Sequence, residues 1–164
     1  INTFHLQQAF LQTINQHQGI IHKVCRIYCN NQDDHNDLFQ EITLQLWKAF
    51  PSFRSEAKIS TWMYRIALNT AISGIRKKKI QTTALENINF QPVDFNDTST
   101  EDNMLLLYKA IAYLSDVEKS IVLLYLEDKS YDEIAEITGI TANYVAVKMN
   151  KNKEKLRTLL KTVQ

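Results

Sequence analysis

Three glycines and two prolines are all that punctuate 164 residues. An all-β chain of this length needs turn-formers every 8–12 residues or so, so their scarcity argues for long helices. No apolar run approaches the roughly 18 residues of a membrane span. Ile1 to Gln18 is spotted with polar residues and lacks the basic start of a secretory leader. Neither a phosphate loop, a nucleophile elbow nor a metal-ligand cluster is present. The four histidines, His5, His17, His22 and His35, are scattered near the N-terminus. These absences predict a protein that is not an enzyme, with no catalytic residues, cofactor, metal or small-molecule substrate. What is present, 45% hydrophobic and 23% charged residues, is ordinary for a globular protein. A cytoplasmic, reducing compartment fits the free thiols.

Cys25 and Cys29 stand one helical turn apart in "HKVCRIYC". With His22 they make half a zinc site, and two further ligands are missing. Burial on a helix face is the expectation, because cysteine packs as a small soft apolar residue.

The net charge of +1 hides an uneven distribution. Residues 1–79 carry ten basic and five acidic side chains. Residues 80–103 carry no basic and five acidic ones, and residues 104–141 three and seven. Residues 142–164 carry six basic and one acidic. Two basic zones flank an acidic middle.

Helical spacing dominates before residue 80. Phe10, Ile14, Ile20, Ile21, Val24, Ile27 and Tyr28 predict one or two helices. Asp33 or Asp34 is the expected cap of the next, about 35–50, with Leu38, Ile42, Leu46 and Phe50 inward and Pro51 as its stop. "SFRSEAK" reads as a loop. A further helix follows, capped by Ser60 or Thr61, with Trp62, Ile66, Leu68 and Ile72 as core. Residues 80–98 lack periodicity and read as a linker. Three S/T-x-x-E boxes then predict helix starts: Thr98 with Glu101, Ser115 with Glu118, Ser130 with Glu133. The expectation is an all-α chain of two small domains, 1–79 and 99–164, joined by 80–98.

"SYDEIAEITGITANYVAVKMNKNKEKL" (130–156) changes from acidic to basic across Gly139. Ser130 predicts a helix from Tyr131 to Thr138, with Ile134 and Ile137 inward. Gly139 suits the left-handed residue that ends it. Thr141 then caps a second helix from Ala142, with Val145 and Met149 in the core. Helix, Gly-containing turn, helix is the helix-turn-helix pattern. The second helix's opposite face carries Asn143, Tyr144, Val147, Asn150 and Lys151, flanked by Lys148, Lys153, Lys155 and Arg157. Cations attract phosphates; amides and apolar groups read base edges. A merely solvated basic helix end is the alternative.

A second constellation lies in "FRSEAKISTWMYRIALNTAISGIRKKK" (53–79). Phe53, Arg54, Trp62, Tyr64, Arg65, Arg76 and Lys77 to Lys79 mix aromatics with cations, as single-strand binders do. Trp62 is expected in the core, and the basic cluster at nucleic acid.

"DLFQEITLQLWKAFPSFRSEAKISTWMYRIALNTAISGIRKKK" resembles region 2 of bacterial sigma factors. "LSDVEKSIVLLYLEDKSYDEIAEITGITANYVAVKMNKNKEKL" resembles region 4. Only a short linker separates them, a layout similar to that of the extracytoplasmic-function (ECF) sigma factors. The resemblance implies core RNA polymerase and promoter DNA as partners, and an anti-sigma factor as a regulator. Asp37, Leu38, Gln40 and Glu41 would dock on the largest polymerase subunit. Phe53, Arg54, Ser55, Lys58, Thr61, Trp62, Arg65, Asn69, Arg76 and Lys77 would hold the melted −10 element. Thr141, Asn143, Tyr144, Ala146, Val147, Lys148, Asn150 and Lys151 would meet the −35 element. The helices before them would meet the flap of the second-largest subunit, and the linker would run towards the RNA exit path. Ala146 and Val147 depart from the family, where a basic and a small polar residue are common.

Two other functions compete with a promoter-directing sigma factor. A helix-turn-helix regulator explains 104–164 but leaves the 53–79 cluster without a role. A purely protein-binding helical module is the other, which a DNA gel shift with polymerase present would discriminate.

Overall fold

The computed structural model describes residues 3–82 and 102–163. Seven α-helices and one 3-10 turn make up its regular structure, with no strand among the described residues. The chain divides into two compact units, Ile1–Ile75 and Arg76–Gln164.

In the first unit, α1 (Thr3–Tyr28) is two helical stretches joined at a kink at His17, where φ is −120° and ψ 17°. Phe10 and Ile14 are buried before the kink, and Ile21, Val24, Cys25 and Ile27 after it. α2 (Gln32–Ala49) packs on α1 and buries Ile42 and Leu46, four residues apart on one face. Its cap is Asn31, not Asp33 or Asp34: Asn31 Oδ1 accepts the Asp34 N–H at 2.8 Å. The two aspartates instead occupy the first turn, where negative charge suits the helix dipole. Pro51 ends the helix as expected, inside the 3-10 turn Phe50–Ser52.

α3 (Ile59–Thr82) starts before both expected caps. Its buried stripe is Met63, Tyr64, Ala67, Leu68 and Ala71. Of the expected core, Leu68 is buried, while Trp62, Ile66 and Ile72 are only half-buried. The stripe runs through two alanines, which let a helix approach its neighbours more closely than large side chains allow. The helix also continues past residue 79, where the linker was expected to begin. Residues 83–98 of that linker, and the Thr98–Glu101 box, lie outside the described residues.

The second unit contains α4 (Asp102–Ile111), α5 (Asp116–Leu126), α6 (Tyr131–Thr138) and α7 (Ala142–Val163). α7 touches each of the other three. α5 is buried on all sides: Ile121, Val122, Leu123 and Leu124 are consecutive and all buried. Its start is the expected capping box, with Ser115 Oγ accepting the Glu118 N–H at 3.3 Å and Glu118 Oε1 accepting the Ser115 N–H at 3.1 Å. Its end uses Asp128 at φ +61°, a conformation that favours glycine. α6 has the predicted bounds. Ser130 Oγ accepts the Glu133 N–H at 3.1 Å, and Gly139 closes the helix at φ +79°.

Candidate nucleic-acid interface

The turn between α6 and α7 sets the presentation of α7. Gly139 N–H donates to the Ala135 carbonyl at 2.9 Å, and Thr141 Oγ1 accepts the Tyr144 N–H at 3.1 Å. These bonds stop one helix and start the next within three residues. Val145, Met149 and Leu156 then point into the core. Ile134 and Ile137 supply the facing apolar surface of the unit.

That packing leaves Asn143, Tyr144, Val147, Asn150 and Lys151 exposed, with Thr141 beside them. Tyr144 is 45% exposed and Val147 53%. Ala146 and Lys148 are half-buried. Lys148 Nζ lies 5.9 Å from the centre of the Tyr144 ring, within cation–π range.

The cations of α7 are not equivalent. Lys153 Nζ sits 4.8 Å over the Tyr125 ring. Lys155 Nζ donates to Glu118 Oε2 at 2.7 Å. Glu118 is buried, and so is Asn152; with its amide oriented to satisfy both groups, the Asn152 nitrogen donates to the same carboxylate oxygen at 2.7 Å and to the Lys148 carbonyl at 3.3 Å. Burial acts to raise the Glu118 pKa, but the hydrogen bonds from Lys155 and Ser115 and the Lys155 charge outweigh it and hold it at about 2. One carboxylate therefore caps α5 and anchors α7. Sequence reading assigned Glu118 only the cap, and it did not single out Asn152. The spacing of 37 residues between Glu118 and Lys155 gives no local signal.

In the first unit, an aromatic chain positions the loop before α3. Phe10 packs on Trp47 and Phe50 with ring centres 5.0 and 5.3 Å apart. Phe50 lies 6.2 Å from Trp62, and Phe53 4.9 Å from Trp62. The indole is thus half-buried among phenylalanines. Beyond Phe53, Arg54, Ser55 and Lys58 are exposed. Ser55 sits at φ +59°, a left-handed conformation unusual for a non-glycine residue. Thr61 is 4% exposed, so its side chain faces inward. Trp62, Arg65, Asn69 and Arg76 share one side of α3, opposite the Met63–Ala67–Ala71 stripe. Asn69, Arg76 and Lys77 are exposed.

On α2, Asp37, Gln40 and Glu41 are exposed and Leu38 is half-buried. Glu41 Oε1 accepts from Gln45 Nε2 at 2.9 Å. Leu44 continues this stripe at 44% exposure, and the sequence reading did not single it out. Exposed leucines are common, so only its place in the stripe marks it.

Cys25 is fully buried and Cys29 half-buried, so the expected burial is complete for the first alone. Burial, helped by the nearby Cys29, pushes the Cys25 thiol up to about 12. His22 Nδ1 lies 3.1 Å from His35 Nε2, their rings stacked. Burial, then the His22 charge, lowers the His35 pKa. Among the described residues, no three His, Cys, Asp or Glu side chains gather as a metal set. No helix among them is long and apolar enough to cross a membrane.

Comparison with known proteins finds two family matches in order along the chain. The Sigma-70 region 2 model matches residues 13–80, and the Sigma-70 region 4 model matches residues 104–156. The chain is 32% identical over 145 residues to the RNA polymerase sigma factor SigV of Bacillus subtilis, covering 87% of this chain and 86% of that protein. It is 29% identical over 164 residues to the ECF RNA polymerase sigma-E factor of Escherichia coli K12, covering 90% and 84%. Its fold is similar to the sigma factor RpoE of Bartonella quintana, solved with the anti-sigma factor NepR. The TM-score is 0.69 at 20% identity, covering 96% of this chain and 98% of that one.

Proposed function

The chain belongs to the sigma-70 family of RNA polymerase sigma factors, in the ECF subfamily, and from this we infer how each unit serves transcription initiation. The protein binds core RNA polymerase and directs it to promoters. The observation that carries this reading is the order of two family regions on one chain, the first lying almost wholly in the first compact unit and the second within the other.

α7 enters the major groove of the −35 element and reads it with Asn143, Tyr144, Val147, Asn150 and Lys151. Its exposed polar face, opposite Val145 and Met149, supports that assignment. Thr141 caps the helix, so its hydroxyl is engaged by the Tyr144 N–H and its contact is at the backbone approach. Ala146 and Lys148, half-buried, flank the reading face.

The loop Phe53–Lys58 and the exposed side of α3 hold the melted −10 strand. Arg54, Lys58, Arg65, Arg76 and Lys77 track phosphates, while Ser55 and Asn69 bond an extruded base. Trp62 and Phe53 support the loop by packing their rings against one another at a tilt. Thr61, facing inward, acts by packing beneath it. Capturing an extruded base offsets an unstacking cost of a few kcal/mol. Asp37, Leu38, Gln40 and Glu41, with Leu44, dock on the largest polymerase subunit, and α4 to α6 meet the second-largest.

The chain catalyses no reaction itself; polymerisation belongs to the core enzyme. It works in the cytoplasm, where template and polymerase are, under an anti-sigma partner. Its working domains are 1–79 and 99–164, with 80–98 as the connection. Family matches that end at residue 80 and resume at residue 104 support that division.

Run-off transcription with core polymerase on a randomised promoter library tests the function. Promoter-specific transcripts that require the added chain are expected. Specific duplex binding without any dependence on polymerase would show a helix-turn-helix regulator instead.

A further inference from the structure

We propose that Val147 reads the C5-methyl group of a thymine in the duplex element, between base-edge contacts from Asn143 and Asn150. This deepens the assignment of α7 to duplex DNA and rests on it.

Asn143, Val147 and Asn150 are spaced i, i+4, i+7 and form one stripe along the exposed side of α7. Val147 is 53% exposed, whereas Val145, two positions earlier, is 0% exposed. The core therefore uses one valine and leaves the other in solvent. Exposure of a β-branched side chain does nothing for a helix either, since alanine, lysine or glutamine is the better helix former. Folding gives Val147 no role, and its neighbours on the stripe are amides.

The major groove offers one apolar feature among its donors and acceptors, the thymine methyl. A valine side chain matches it; an amide matches the N6/N7 edge of adenine with two bonds. Spacing is compatible with adjacent steps. At about 1.5 Å per residue, Val147 lies ~6 Å along the axis from Asn143 and ~4.5 Å from Asn150. Base pairs rise about 3.4 Å, so the three side chains address neighbouring or next-neighbouring pairs. Tyr144, on the same side and 45% exposed, widens the apolar area without adding charge.

The test uses the full chain bound to core polymerase. A randomised duplex pool is first selected for binding, which defines the upstream element. Each thymine of that element is then replaced singly by deoxyuridine, which removes the methyl group and nothing else. One replacement should weaken binding by the wild type by about threefold to fivefold, the value of one buried methyl. The same replacement should cost Val147→Ala much less, because the receiving side chain is gone. Val147 is exposed, so the variant keeps the fold, and a melting temperature no lower than that of the wild type verifies it. Uracil penalties that are absent throughout, or equal in wild type and Val147→Ala, overturn the proposal. Silence at every uracil combined with weaker polymerase binding by Val147→Ala assigns the Val147–Tyr144 patch to a protein surface and overturns it too. Failure of the duplex assignment itself looks different. In that case Lys151→Ala leaves both affinity and salt dependence unchanged, whatever uracil does.

Discussion

Replacing Glu118 by glutamine keeps the size of the side chain and removes its charge, which tests the anchor between α5 and α7. In the wild type one carboxylate accepts from Ser115 N–H at 3.1 Å, from Lys155 Nζ at 2.7 Å and from Asn152 at 2.7 Å. Glutamine keeps an oxygen for Ser115 but turns a donor towards Lys155 or Asn152. Two routes give the magnitude. A carboxylate held at about 2 against its ordinary value of 4.5 corresponds to roughly 3 kcal/mol at neutral pH. Losing a charge-assisted bond, at about 1.5–3 kcal/mol, and leaving a buried amide partly unpaired, at about 1–3, brackets the same figure once the half-exposed Lys155 is discounted for solvent screening. The sign follows from the lowered pKa. The unfolded chain binds the proton more tightly, so the stabilisation is complete above about pH 5 and is lost as pH falls towards 2. About half should remain near pH 3. Both tryptophans, Trp47 and Trp62, lie in the first unit. Urea unfolding followed by tryptophan fluorescence therefore reports that unit, and hydrogen exchange at α5 and α7 amides reports the second. Glu118→Gln should weaken α5 and α7 protection by about 3 kcal/mol at pH 7, leave the tryptophan transition in place, and converge on wild type in acid. A penalty that does not shrink with falling pH, or one shared equally by both units, would refute the anchor.

Lys151→Ala should weaken duplex promoter binding, lowering the salt slope by about one unit if the contact is to phosphate. Asn69→Ala should leave duplex binding intact and slow promoter opening; a pre-melted bubble should rescue it far more than it rescues Lys151→Ala, as potassium permanganate footprinting and transcription would show. Gly139→Val should cost about 1–2 kcal/mol in thermal unfolding of the second unit, because its φ of +79° opposes a side chain even though the space around it is open. Iodoacetamide at pH 8 should spare the buried Cys25 of the folded chain and label Cys29 first, read by mass spectrometry; equal labelling would contradict the burial difference.

The helix-turn-helix was legible residue by residue because its signals are local. Ser130, Gly139 and Thr141 act through bonds and dihedrals that close within four residues of themselves, so neighbours in the chain decide them. The same locality made Ser115 and Glu118 readable as a cap. The inward placing of Val145 and Met149 follows from one apolar stripe on an otherwise polar helix. α3 was harder, because apolar residues lie on several of its sides. The core takes Met63, Tyr64, Ala67, Leu68 and Ala71, leaving Trp62, Ile66 and Ile72 at the margin. Asn31 displaced two aspartates as the cap of α2, a competition among adjacent polar residues that composition does not rank. Asp128 ends α5 in a left-handed turn where no glycine announced it. The aromatic chain from Phe10 to Phe53 and the meeting of Glu118 with Asn152 and Lys155 join residues distant in sequence. Such contacts exist only after helices have packed, because side-chain chemistry states what a residue can bond and only the fold brings the partner within 3 Å or so.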